Sequence, residues 1–143
     1  MSSDQVLAPA PQHPHPHRPR VMCVDDSPDL TDMMTWAIRQ EPDLEDAGAM
    51  GSAEGIVEEV IRRRVDIVIL DLTMPGPDPL GAISALADGA PLCRVIAFSG
   101  HDDPETREAA RIAGAWELVS KHGEPNDVMQ AIRRVAGQAV LRE

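Results

Sequence analysis

The stretch VMCVDDSPDL (Val21–Leu30) decides how this chain is read. Four apolar residues, Val21–Val24, run into two adjacent acids, Asp25 and Asp26, and a helix-start signal, Ser27-Pro28, follows at once. Ser is a favoured N-cap, and Pro suits the first helical position because its missing N–H would have no partner there. Leu30, Met33, Met34, Ala37 and Ile38 then repeat at the spacing of one apolar helix face. The unit is therefore strand, acidic turn, helix. Two repelling carboxylates at the end of a buried strand are either a solvated turn or half of a cation site.

The same unit recurs outward from this stretch. VDIVILD (Val65–Asp71) and RVIAFS (Arg94–Ser99) are short Val/Ile-rich runs, the pattern of parallel strands buried on both faces. LEDAGAM (Leu44–Met50) and WELVS (Trp116–Ser120) are weaker strand candidates. A second helix is expected from about Ala53 to Arg64, opened by Ser52, with Ile56, Val57, Val60 and Ile61 inward. A third is expected around Leu80–Ala87, and a fourth runs from Asp103-Pro104 to near Gly114. The last carries Val128, Ile132, Val135 and Ala139 on one stripe. Five β-α units with short connections imply right-handed crossovers and helices on both faces of one sheet. The expected fold is α/β, a five-stranded parallel doubly wound sheet of flavodoxin-like order 2-1-3-4-5. No Gly-rich phosphate loop follows the first strand, which removes dinucleotide and P-loop readings.

Composition narrows the classes further. The 143 residues make one domain, and the hydrophobic share of 43% fits a globular core. Phe98, Trp36 and Trp116 are the only aromatics, too few for a base-stacking platform, and a net charge of −11 repels phosphate backbones. Direct nucleic-acid binding is excluded on that basis. Cys23 and Cys93 adjoin apolar runs with no metal-ligand spacing and read as buried, reduced thiols. No apolar stretch approaches the ~18 residues of a membrane span, and no signal-peptide core opens the chain, so a cytoplasmic protein is expected. Residues 1–19, with Pro alternating with His13, His15 and His17, read as a flexible tail ahead of a domain at 20–143.

In a doubly wound sheet, ligands collect beyond the carboxyl ends of the strands. There stand Asp25 and Asp26, Asp71, Ser99, and Ser120-Lys121. Strands one and three are neighbours in the expected order, so three acids meet. Clustered acids raise one another's pKa, and a hard divalent cation such as Mg²⁺ relieves that cost. Carboxylate, cation, ammonium and hydroxyl on one spot suit phosphoryl transfer, with Asp71 as the natural acceptor of an acyl phosphate. Singly, each has a plainer reading: a solvated turn for the acid pair, a cap for Ser99, a surface charge for Lys121. The joint placement is what favours a site.

The motifs VDDSP, VILDLTMPG, AFSGHDDPETREAARIAGA and LVSKHG stand in an order and spacing that resemble the receiver domains of two-component response regulators, over about Arg20 to Leu141. The later motifs look most like receivers that precede a helix-turn-helix output domain. The resemblance implies that Asp71 receives a phosphoryl group from a histidine kinase or phosphotransfer protein. It implies Mg²⁺ (or Mn²⁺) held directly by Asp26, Asp71 and the backbone carbonyl of Thr73, with Asp25 acting through water. Lys121 and Ser99 would contact the phosphoryl group, and Thr73 and His101 would modulate its lifetime. The face made by helix four, strand five and helix five would signal to an output and support a phosphorylation-dependent homodimer.

Three departures from the family pattern stand out. Leu118 occupies the place of a switching Tyr or Phe, so aromatic reorientation is not the mechanism here. His122 replaces the Pro of a cis Lys-Pro bond, and a cis bond without Pro is unfavourable by about 2.5–4 kcal/mol, so this bond is trans or strained. Pro79 stands where Gly is usual, stiffening the loop after Asp71. Trp116 is expected to pack partly under its loop, the alternative being a partner or dimer contact, and Trp36 is expected to be half-buried. The competing reading is a receiver-like module that binds proteins without being phosphorylated. A Mg²⁺-dependent phosphatase is disfavoured, because DLT at Asp71 lacks a second acid.

Overall fold

Alternate residues of each strand serve opposite faces of the sheet, which is why the three inner strands carry unbroken apolar runs, Val21–Val24, Ile67–Leu70 and Val95–Phe98. The computed structural model describes residues 18–141. Its strands are β1 (Arg20–Val24), β2 (Glu45–Met50), β3 (Ile67–Asp71), β4 (Arg94–Ser99) and β5 (Glu117–Ser120). The helices are α1 (Pro28–Arg39), α2 (Ile56–Arg63), α3 (Pro79–Gly89), α4 (Pro104–Ala113) and α5 (Pro125–Leu141). All strand pairs are parallel, and the order is β2-β1-β3-β4-β5, as expected.

Met22, Val24, Val68, Leu70, Val95 and Ala97 pack against Ile56 and Val60 of α2, Ile83 and Leu86 of α3, and Ala110 of α4. On the other face, Val21, Cys23, Ile67, Ile69, Ile96, Phe98 and Val119 meet Met34 and Ile38 of α1 and Val128, Ile132 and Val135 of α5. Each Val, Leu, Ile, Met or Phe among them contributes about 1.5–3 kcal/mol of burial free energy. Both cysteines are buried and free, as read from sequence.

Local chemistry sets the helix starts. Ser27 accepts from Leu30 N–H with Pro28 at the first position, and Asp103 accepts from Thr106 N–H with Pro104 following. Asp78 caps α3, accepting from Leu80 N–H, so the helix begins at Pro79 and runs to Gly89, longer than the expected Leu80–Ala87. Pro79 opens the helix; it does not merely stiffen a loop.

Several expectations are corrected. Ser52 does not open a helix at Ala53. Its hydroxyl accepts from Glu54 N–H in a tight turn, and α2 starts three residues later at Ile56. The third strand starts at Ile67, because Val65 N–H closes α2 on Val60 O and Asp66 brackets Arg20 from both backbone and side chain. Ile61 is 59% exposed and Met33 54%, so neither faces inward. Each lies next to a buried residue, Val60 or Met34, and one helical step of about 100° turns it away from the sheet. Trp36, expected half-buried, is 64% exposed: it lies two residues from both Met34 and Ile38, and two helical steps of about 100° put it on the far side of α1.

Gly48 marks the register shift between β1 and β2. Its φ is +99°, and a Cβ there would lie 2.6 Å from the Arg63 guanidinium, which donates to Ala47 O and Ala49 O. Glycine alone fits that bend. Of the tail expected at residues 1–19, residues 1–17 lie outside the described residues, and the side chain of Ala139 is likewise outside them. No helix among the described residues is long and apolar enough to cross a membrane.

Candidate phosphoryl-acceptor site

The carboxyl ends of β1, β3, β4 and β5 deliver their last residues to one crevice. Asp71 and Ser99 end their strands and are each 1% exposed. Asp25 follows β1, is 2% exposed, and continues the sheet through its N–H to Met50 O at 3.0 Å. Its carboxylate Oδ1 accepts from Ser27 N–H at 2.9 Å, so the residue that caps α1 also orients the acid. Lys121 follows β5, its N–H donating to Ser99 O at 2.8 Å.

Asp25, Asp26 and Asp71 each present a carboxylate oxygen within 4.8 Å of the others. Asp25 and Asp71 are buried and Asp26 is exposed, the mouth of the crevice being on its side. Lys121 Nζ bridges the buried pair, 3.2 Å from Asp25 Oδ2 and 3.1 Å from Asp71 Oδ1. It also sits 5.4 Å from the centre of the Phe98 ring. Thr73 donates to Asp71 Oδ1 twice, from its N–H at 2.9 Å and its hydroxyl at 2.8 Å. These donors converge on Oδ1.

The electrostatics follow from burial against partners. Burial pushes the Asp25 carboxyl up, and the charge of Asp71 adds to that, against the Ser27 N–H and Lys121. Burial also pushes Asp71 up, but the Thr73 and Lys121 interactions outweigh it and hold this carboxyl below the ordinary value. Lys121 is held above its ordinary value: burial disfavours the ammonium, and its bonds to Asp71 and Asp25 more than offset this. Cys23, beneath the crevice, is pushed up to about 12 by burial and then by the charges of Asp25 and Asp71. Three carboxylates against one ammonium leave the crevice negative. That donor set, all hard oxygens around a small opening, fits a divalent cation such as Mg²⁺.

The remaining expected residues take varied places. Ser99 Oγ accepts from His101 N–H at 2.9 Å, a bond within its own loop. His101 and Thr73 are exposed and line a groove of about 310 Å³ together with Leu72, Ser99 and Glu105. Leu118 is partly buried against the core cluster that includes α4. Trp116 lies at the opposite end of β5 from the acids, half-buried, with the Arg94 guanidinium 4.6 Å from its ring centre. Among the described residues no peptide bond is cis, so Lys121–His122 is trans.

One contact had no signal in the sequence. Arg107 of α4 donates through Nε to Asp102 O at 2.9 Å and through Nη1 to Leu118 O at 3.1 Å. Its acceptors are backbone carbonyls, which side-chain patterns do not mark. It joins α4 to β5 at the position where the aromatic is replaced by Leu118.

Residues 21–133 match the family model of the response regulator receiver domain. The chain is 34% identical over 110 residues to protein-glutamate methylesterase/protein-glutamine glutaminase 3 of Myxococcus xanthus (strain DK1622), covering 75% of this chain and 30% of that protein. It is 29% identical over 124 residues to the nitrate/nitrite response regulator protein NarL of Escherichia coli (strain K12), covering 86% of this chain and 57% of that protein. The chain thus spans only part of the length of these relatives. Among solved structures, a LuxR-family two-component response regulator from Aurantimonas sp. SI85-9A1 superposes with a TM-score of 0.79 at 26% identity, covering 85% of this chain and 86% of that one.

Proposed function

This chain belongs to the response regulator receiver domain family, and on that premise we propose that Asp71 accepts a phosphoryl group from a phosphohistidine of a partner kinase or phosphotransfer protein. The observation that carries this is the placement of Lys121 between two buried carboxylates, with a third acid at the mouth. Thr73 and Lys121 hold Asp71 Oδ1, which leaves Oδ2 as the attacking oxygen. As the Oδ2–P bond forms, the P–N bond of the donor breaks, and the imidazole leaves with the electron pair and takes up a proton.

Asp26 and Asp71, with the carbonyl of Thr73, would hold Mg²⁺ (or Mn²⁺) directly, and Asp25 would act through water. When bound, the cation neutralises charge on the phosphoryl oxygens. Lys121 would do the same with its ammonium, and Ser99, whose Oγ accepts from His101 N–H, would donate its hydroxyl proton to a phosphoryl oxygen. The reading places the chain in the cytoplasm beside its kinase. The α4–β5–α5 face, where Ile112 is 71% exposed, would meet an output partner or a second copy.

Incubation with Mg²⁺ and phosphoramidate is expected to load one phosphoryl group per chain, stable to acid and labile to base, and EDTA is expected to abolish loading. No loading under any Mg²⁺ condition would favour a module that only binds proteins. Thr73→Ala and His101→Ala are each expected to change the decay rate of the loaded form by about two- to tenfold, the span of one hydrogen bond. Decay identical to wild type would remove both residues from that role.

A further inference from the structure

We propose that His122 is a positioning residue for Lys121, its imidazole joining the turn that carries the lysine to the loop that carries Ser99. The inference rests on the phosphoryl-acceptor reading above and concerns how that site is held together. Two chain segments meet here, Ser99–His101 after β4 and Ser120–His122 after β5. Lys121 N–H donates to Ser99 O at 2.8 Å, and one residue further His122 Nε2 lies 3.1 Å from Gly100 O. A carbonyl can only accept, so this ring presents Nε2–H to it. The backbone beneath the ring is held as well, because His122 N–H donates to Ser120 Oγ at 3.1 Å.

The turn needs such a fastening. Lys121–His122 is a trans bond without proline, and an exposed Gly123 follows, so no ring in the backbone stiffens it. Lys121 reaches its two carboxylates on a four-carbon stem, and the stem is only as well placed as the backbone beneath it. Fastening Gly100 to His122 makes the ammonium of Lys121 and the hydroxyl of Ser99 parts of one unit, and these are the groups that would meet the phosphoryl oxygens. The far side of the same loop is already tied, since Arg107 spans Asp102 O and Leu118 O. With His122 included, the β4–α4 loop is held to the β5 end at both margins. Loss of the near tie loosens Lys121 and removes no carboxylate from the acid cluster.

The test uses the full chain and three proteins: wild type, His122→Leu and His122→Gln, the last retaining an amide N–H within reach of Gly100 O. Phosphoryl uptake from phosphoramidate at saturating Mg²⁺ is timed, and Mg²⁺ affinity is measured by calorimetry. His122→Leu is expected to load about fivefold more slowly, the loss of one hydrogen bond, with Mg²⁺ affinity not weakened, and His122→Gln is expected to recover most of the rate. Leucine loading at the wild-type rate overturns the inference. So does a glutamine variant as slow as leucine, or a slowing matched by weaker Mg²⁺ binding. A wild type inert to phosphoramidate overturns the acceptor reading and this inference together; normal wild-type loading with no effect at His122 overturns this inference alone.

Discussion

Lys121→Met is expected to slow phosphoryl loading of Asp71 about a hundredfold and to destabilise the cation-free protein by about 2 kcal/mol at pH 7. The kinetic effect follows from removing the ammonium of the chain's only lysine from the place where charge develops on the phosphoryl oxygens. The stability effect follows from the geometry: Asp25 and Asp71 are almost wholly buried, and Lys121 Nζ is 3.2 and 3.1 Å from them. Breaking a fully buried pair costs roughly 3–5 kcal/mol, and the side chain of Lys121 is 26% exposed, so a smaller figure applies.

The pH dependence has a definite sign. In the wild type Asp71 lies below its ordinary value, so its share of stability is present above about pH 4 and lost as pH falls through the folded value. Lys121 lies above its ordinary value, so its share persists through neutral pH and is lost only as pH rises through the folded value. Asp25 lies above its ordinary value, so its ionisation subtracts stability as pH rises through that value. Without the ammonium both acids shift upward. The variant should therefore lose stability as pH rises from about 4 to 7, and its deficit should vanish in acid, where both carboxylates are protonated. Saturating Mg²⁺ should narrow the gap at pH 7. Chemical denaturation across this range checks it, and a deficit independent of pH and Mg²⁺ would contradict it.

Ile69→Ala is expected to cost about 4 kcal/mol, whereas Ile61→Ala should stay within about 0.5 kcal/mol of wild type. Ile69 is 1% exposed on β3, the central strand, and it packs with Ile96, Ile132 and Val135 between sheet and α5. Truncation leaves a cavity that strands paired on both sides cannot close. Ile61 is 59% exposed on α2, and alanine suits a helix surface. Thermal melts of the two variants test the assignment of faces directly. A large loss at Ile61 would restore the inward placement that its spacing from Ile56 and Val57 had favoured.

That pair also shows where sequence reading succeeds and stops. The three inner strands were legible because burial on both faces leaves continuous apolar runs, and α1 and α4 because Ser27-Pro28 and Asp103-Pro104 cap their own helices locally. The acids were legible because a parallel sheet sends every strand's last residue to one edge. Ser52 misled because a hydroxyl accepting from a nearby N–H opens a turn as readily as a helix. Met33 and Ile61 misled because a short helix resting on a sheet buries a narrower stripe than apolar spacing allows. The ties made by Arg107 and by the His122 ring were hidden because both end on distant backbone carbonyls. What the residues are was readable; which loops they join depended on the fold.

The most direct test of the central claim is to load the protein with phosphoramidate and Mg²⁺, reduce any acyl phosphate with borohydride, and locate the converted residue by peptide mass spectrometry. Conversion at Asp71 alone, dependent on Mg²⁺ and absent from Asp71→Asn, is the predicted result. Conversion at Asp25 or Asp26, equal loading of Asp71→Asn, or no conversion at all would contradict it.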